Sequence, residues 1–459
     1  MTVLHDMTNQ SAAAETGYYV PPSPTLKESF DSDEGTIRVS GDDIKHFTTK
    51  APVQQTEVPE DEYPDGGLRA WVVVFGTVCT MFSTFGYVNA WGVFQAYYEE
   101  TLLSNSSPSD IAWIGSLQYA LIFVPGMITG RMFDLGHFKL PFFISSCVLV
   151  AATFLVAECT QYWQFLLCQG FAVGLGCGAV FGPAMGIVSH WFKKRRGIAL
   201  GIMTAGSSLG GTVFPIATRR LINEVGFPWT MRIIGLFLIF TLGCANLTLQ
   251  RRLPPVNAKG GLFNLAAFKN KAFTFWCLAG FTTFLGLYTA LTYIDVSATS
   301  MGIDPDFAFY LVSIANASSG VGRLFAGVMA DRFGAINVAV PCTVLAGIIT
   351  YIWPFVTTKA SFIAISIIYG FGSGAFISLV AMPVIAFGDI DDVGRRVGMA
   401  LAVLATGALA GPPISGAINK ATGGFKFVGY YAGSMIVVSV IFMILARQTH
   451  LQGKLRGKF

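Results

Sequence analysis

The sequence predicts an all-α membrane protein, with twelve transmembrane helices forming two six-helix bundles that repeat in parallel. Three observations carry that prediction. Of 459 residues, 53% are apolar and only 12% charged, with a mean hydropathy of +0.58. A soluble domain carries roughly 25% charged residues, and so little charge could not cover a soluble surface of this size. Apolar stretches of about 20 residues recur along the chain, each long enough to cross ~30 Å of hydrocarbon at ~1.5 Å per helical residue. Short motifs of the first half return in the second.

Residues 1–69 hold thirteen acids and five bases, a formal charge of −8, which leaves +12 for the rest of the chain. Runs such as Pro21-Pro22-Ser23-Pro24 and Glu60-Asp61-Glu62, without an apolar period, predict a disordered acidic cytoplasmic tail. It lacks the apolar core of a secretory signal. A first bundle, 70–249, takes six spans at 70–98, 111–130, 141–157, 162–190, 197–217 and 229–249. A polar cytoplasmic linker, 250–271, follows. The second bundle, 272–446, takes spans at 272–299, 307–330, 336–356, 362–387, 398–418 and 427–446, ahead of a cytoplasmic tail at 447–459.

Lysine and arginine set the orientation. With the amino terminus inside, 18 bases fall in inner loops and tails, among them Arg131, Lys193 to Arg196, Arg332, Arg395 and Arg396, against 5 outside. Both termini are therefore read as cytoplasmic, in the cell membrane by default or an organelle membrane otherwise. The same bias explains the basic clusters without nucleic acid. The eight cysteines have no paired spacing, so neither disulfides nor metal are expected. Asn105-Ser106-Ser107 in the first outer loop is a candidate glycosylation site. No histidine pair has metal-ligand spacing and no nucleophile elbow is present, which argues against an enzyme and against a cofactor. Gly174, Gly176 and Gly178 lie inside an apolar span, where they suit close helix packing rather than nucleotide binding.

After the second span the chain reads Gly130-Arg131-Met132-Phe133-Asp134-Leu135-Gly136, and after the eighth Gly327-Val328-Met329-Ala330-Asp331-Arg332-Phe333-Gly334, an offset of 197. At an offset of 200, Gly170, Gly174, Pro183 and Arg195-Arg196 match Gly370, Gly374, Pro383 and Arg395-Arg396. A parallel repeat suits two bundles rocking about a midplane site.

These motifs resemble those of the major facilitator superfamily, with Leu135 standing where a basic residue is usual. Asp65-Gly66-Gly67-Leu68-Arg69-Ala70-Trp71 resembles the motif that precedes span one in its monocarboxylate porter branch. Trp191 to Gly201, followed by Ala205 to Gly211, resembles that branch's signature around span five, and Gly92-Val93-Phe94-Gln95 occurs often in its fungal members. The resemblance covers residues 65 to about 446.

Asp134 and Asp331, with Arg131 and Arg332 beside them, sit where helices meet inner loops and can hold a neighbouring helix amino terminus in one of two bundle arrangements. Arg323 lies about 12 Å into the membrane by helical rise. A cation there is costly unless it faces a wet cavity or a partner. In the resembling family a span-eight arginine binds the substrate carboxylate, so Arg323 is the leading substrate contact. Asn89, Asn316, Tyr288 and Tyr293 are the polar candidates beside it. Proton-coupled members carry an aspartate where this chain has Ser319 and a span-one lysine where it has Asn89, so weak proton coupling is expected.

The function expected is secondary active or facilitative transport of a small organic solute, a monocarboxylate or related metabolite, by alternating access across the bilayer. An exporter of a hydrophobic secondary metabolite or toxin is the alternative, and import and efflux fit the sequence equally. A transport-inactive sensor or scaffold is a third reading. No nucleotide is implied.

Overall fold

A computed structural model describes residues 63–255, 261, 263–388, 392–454 and 457–459. The predicted disordered tail lies outside the described residues except for its last seven. Eleven helices among the described residues are long and apolar enough to cross a membrane: α1 Leu68–Leu102, α2 Asp110–Asp134, α3 Lys139–Val156, α4 Tyr162–Trp191, α5 Arg196–Val225, α6 Phe227–Thr248, α7 Lys271–Ser300, α9 Ala335–Phe355, α10 Lys359–Ala386, α11 Val393–Thr422 and α12 Lys426–His450. The twelfth, α8 Pro305–Phe333, is as long but more polar, because Ser313, Asn316, Ser318, Ser319 and Arg323 lie in its middle. Such a helix must turn its polar face inward. Leu68 and His450 lie at one end of the bundle, the tail end, and the turn after α1 lies at the far end.

Capping chemistry sets several boundaries. Ser107 accepts from the Asp110 amide at 3.1 Å at the head of α2, and Asp304 accepts from the Asp306 amide at 3.3 Å at the head of α8. Asn270 takes the Ala272 amide at 3.0 Å to start α7. These side chains satisfy amides that the first helical turn leaves without partners. α1 is interrupted at Asn89-Ala90, which turns the Asn89 side chain inward. The bundle exterior is apolar, with Leu236, Phe237 and Phe240 of α6 and Phe143 and Ile144 of α3 exposed. Against hydrocarbon that surface is satisfied.

Several helices outrun the apolar stretches that announce them. α5 and α11 are 30 residues each, so Arg395 and Arg396, read from sequence as loop charges, lie in a helix, as do Arg219, Arg220 and Lys420 near the outer ends. Their first residues, Arg196 and Val393, are 197 apart, as are Pro215 and Pro412 inside them. The repeat therefore keeps one register of 197 through these helices. Arg395-Arg396 is not the counterpart of Arg195-Arg196; it sits within the first turn of α11, where it is buried. Identical residue pairs drew the sequence reading to an offset of 200, whereas helix ends and prolines define the physical equivalence.

Candidate functional site

Between the two halves lies a small cavity of about 60 Å³ lined from both sides. Arg323 forms part of its wall, with Asn89, Thr204, Ser207, Asn316, Ser319 and Tyr288 around it. The rest of the wall is apolar, including Phe85, Phe123, Phe181, Phe284 and Leu404. Ordinary ligand pockets run to at least about 300 Å³, so this space holds a few waters and a solute can enter only if the halves separate. Aromatic pairs close it across the interface: Phe123 meets Phe284 edge-on at 5.7 Å, and Tyr119 lies 5.8 Å from Tyr288.

Arg323 reaches from α8 across to α5. Its Nε donates to Ser319 Oγ at 3.2 Å, and its Nη1 donates to the Thr204 carbonyl at 2.6 Å and to Ser207 Oγ. Nη2 has no protein acceptor among the described residues, and no carboxylate lines the cavity. The guanidinium is held by neutral groups and keeps its charge uncompensated, which is the arrangement that receives an anion. Asn89 and Asn316 flank Gly211: Tyr119 donates to Asn89 at 3.2 Å, and Asn316 Nδ2 donates to the Gly211 carbonyl at 3.3 Å. Four of the five substrate candidates thus share one cavity. Tyr293 stands apart, its hydroxyl donating to the Pro412 carbonyl at 3.1 Å and its ring against Phe425. There it holds the α11 backbone at the Pro412-Pro413 pair inside that helix.

The tail end is closed by two contacts related by the repeat. Asp331 Oδ1 and Oδ2 accept from the amides of Gly197 and Ile198 at 2.6 and 2.9 Å, at the start of α5. Asp134 Oδ1 and Oδ2 accept from the amides of Gly394 and Arg395 at 3.1 and 3.0 Å, at the start of α11. Each carboxylate meets the positive end of a helix dipole in the opposite half. The helices cross closely enough to do so because Gly130 lies on Gly394 and Gly327 on Gly197, where a Cβ would strike backbone carbonyl oxygen. Arg131 is buried one turn before Asp134, and its charge attracts that carboxylate. Arg332 is exposed and makes no ion pair among the described residues, so it does not join these contacts. At the far end Arg219 of α5 pairs with Asp306 of α8, its guanidinium over the Phe309 ring at 4.6 Å.

A buried network beside the Asp134 contact was not legible as such in the sequence. Asp392 pairs with Arg395 and, at 3.8 Å, with Arg396, and accepts from Asn264 Nδ2 at 2.6 Å. Arg395 also donates to the Gly261 carbonyl at 3.2 Å, fastening the linker to α11. Breaking a buried pair by removing one partner costs about 3–5 kcal/mol, because a charge is left buried without compensation. Asp392→Ala is therefore expected to lower the melting temperature of the detergent-solubilised protein markedly, whereas Asp392→Asn, which keeps an acceptor, should fall between. An unchanged melting curve for the alanine variant would show that the pair contributes nothing.

The profile described as Major Facilitator Superfamily matches residues 73–382 and 276–458. The chain belongs to the major facilitator superfamily. Within it, the aspyridones efflux protein of Emericella nidulans is 37% identical over 408 residues, covering 88% of this chain and 83% of that protein. The MFS transporter asaE of Aspergillus flavus is 37% identical over 419 residues, covering 90% and 93%. The agnestins efflux protein of Paecilomyces divaricatus is 36% identical over 379 residues, covering 83% and 87%. The fold matches the human organic anion transporter MFSD10 with a TM-score of 0.65 at 14% identity, covering 82% of this chain and 98% of that one. The fucose:proton symporter of E. coli matches with a TM-score of 0.63 at 14% identity, covering 82% and 99%.

As a major facilitator superfamily member the chain is a multi-pass membrane transporter of small molecules, not an enzyme. Sequence reasoning reached the arginine but missed its holders, Thr204 and Ser207, and the phenylalanines opposite. Thr204 and Ser207 lie in or beside the small-residue run that resembles the porter signature. The phenylalanines carry no local signal, since 39 are spread through the chain and only the fold selects those at the interface.

Proposed function

We propose that this transporter exports an amphipathic organic anion, whose carboxylate pairs with Arg323 and whose apolar body lies against Phe85, Phe123, Phe181 and Phe284. The observation that carries the reading is the guanidinium in the cavity wall with no carboxylate lining that cavity. Neutral hydrogen bonds from Asn89, Asn316 and Tyr288 would orient the solute. Two relatives at 36% and 37% identity are named for efflux, which supports the outward direction. A short lactate-like acid would leave the aromatic wall unused, so the monocarboxylate reading narrows to acids with an apolar body.

Inside-out membrane vesicles from an expressing host test this directly. Uptake of a radiolabelled aromatic monocarboxylate is expected, with its methyl ester transported poorly. Equal transport of acid and ester would remove the carboxylate from the proposal. We place the tail end in the cytoplasm of a cell-surface protein, as the excess of bases there supports. Cysteine placed at Asn105, exposed in the turn after α1, should react with an impermeant maleimide in intact cells. Cysteine at Lys454 should react only after permeabilisation, and the reverse pattern would invert the topology.

A further inference from the structure

We propose that Asp65 is a positioning residue of the tail-end gate. The motif Asp65-Gly66-Gly67 ahead of α1 lines no part of the cavity and makes no hydrogen bond to the other half among the described residues. Its carboxylate instead crosses to the loop between α4 and α5: Asp65 Oδ1 accepts from the amides of Lys193 and Lys194 at 2.7 Å and of Arg195 at 3.1 Å. The Asp65 amide in turn donates to the Trp191 carbonyl at 3.2 Å. Asp65 holds φ at 45°, a left-handed conformation that a non-glycine residue keeps only where its surroundings over-determine it. Gly67 follows at φ 83°, which lets the chain turn at once into α1.

The position of those amides gives Asp65 its role. One residue further on, past Arg196, the amides of Gly197 and Ile198 are the two received by Asp331 from the other half. Between Lys193 and Ile198, five amides are therefore taken by two carboxylates, three by Asp65 from the same half and two by Asp331 from the other. A helix start leaves its first amides without partners and free to fray or retract. By fixing the three before the helix, Asp65 keeps the two that follow Arg196 pointed at the place where Asp331 arrives. Preorganisation of this kind lowers the ordering cost of each closure. Asp65 thus acts on the gate through the loop, and its effect should vanish when Asp331 can no longer use the amides.

Hydrogen exchange of the full-length protein in lipid nanodiscs tests this without any solute. Two segments are read: 193–198, which Asp65 touches, and 394–395, the other gate contact, which it does not. Asp65→Ala is expected to raise exchange about tenfold at both, as loss of hydrogen bonds to a charged group would. In an Asp331→Ala background, which leaves the Gly197 and Ile198 amides no side-chain acceptor, it should add nothing at 394–395. Asp65→Asn keeps an acceptor oxygen and should give a rise of about two- to threefold at both segments, so it carries the test should the alanine variant fail to accumulate. A rise confined to 193–198, or an undiminished effect of Asp65→Ala in the Asp331→Ala background, would show a local structural contact and overturn the assignment.

Discussion

Replacing Arg323 by alanine is expected to lower kcat/KM for an anionic solute about a hundredfold or more, since each hydrogen bond to a charged group contributes roughly 1.5–3 kcal/mol and a carboxylate would lose two. The same variant should be at least as heat-stable as the parent. An uncompensated cation inside a membrane bundle is a standing desolvation cost, offset among the described residues by hydrogen bonds to the Thr204 carbonyl and two hydroxyls. Function and stability therefore move in opposite directions, as they do where a site keeps a destabilising group for its task. Arg323→Lys separates charge from shape. A lysine ammonium can occupy the position but cannot hold Ser319 and Thr204 while presenting a second nitrogen to the solute, so a loss of about tenfold is expected. Vesicle transport and a melting curve on the same preparations provide both readouts. Full transport by the alanine variant, or a fall in its stability as large as the fall in transport, would make the arginine a structural clamp.

What the sequence made legible follows from what a bilayer demands. Spans of about 20 apolar residues have no other stable home than helices, so their number and order were fixed by hydropathy alone. α8 is read in the same way, from the apolar stretch 307–330, although its polar centre weakens that signal. Arg323 stood out because depth in the membrane is readable from helical rise. Charges near span ends were harder, because position in sequence does not say whether a helix continues past the lipid. Arg395 and Arg396 counted equally well as loop charges by topology. Folding instead gives them Asp392 as a partner and puts the Arg395 amide within reach of Asp134. Arg332 is the converse: its place in a recognisable motif suggested a gate contact, yet the helix rotates it outward while Asp331 faces the other half. Tyr293 likewise lies one helical turn and a little more from Tyr288, enough rotation and rise to leave the cavity for the α11 backbone. Cross-half contacts of this kind depend on how two bundles meet, and periodicity within one helix does not encode that.

The second large effect is expected at the gate, where Asp134→Asn and Asp331→Asn should each open the tail end about tenfold and together about a hundredfold. Each carboxylate accepts two backbone amides at a helix start, and removing its charge should cost roughly 1–2 kcal/mol through the weaker bonds and the lost dipole interaction. The two contacts belong to one closed arrangement yet touch no common residue, so their free energies should add while acting on a single equilibrium. Accessibility of a cysteine placed at Met127, in α2 against α11 and between gate and cavity, reports that equilibrium once the native cysteines are replaced. Labelling from the tail side should rise with each substitution, and transport should fall because a gate that cannot close leaves the solute free to return. Arg332→Ala provides the contrast. It removes a charge from the same end and the same motif but from a side chain pointing away, so labelling should stay at the parent level. Were Arg332→Ala to raise labelling as much as Asp331→Asn, the gate would be responding to net charge at the membrane surface, and the paired amide contacts would not be its cause. Equal responses from Asp134→Asn and Asp331→Asn, with none from Arg332→Ala, would instead tie closure to the repeat itself. The same carboxylate-to-helix contact, set down 197 residues apart, would hold both sides of one interface.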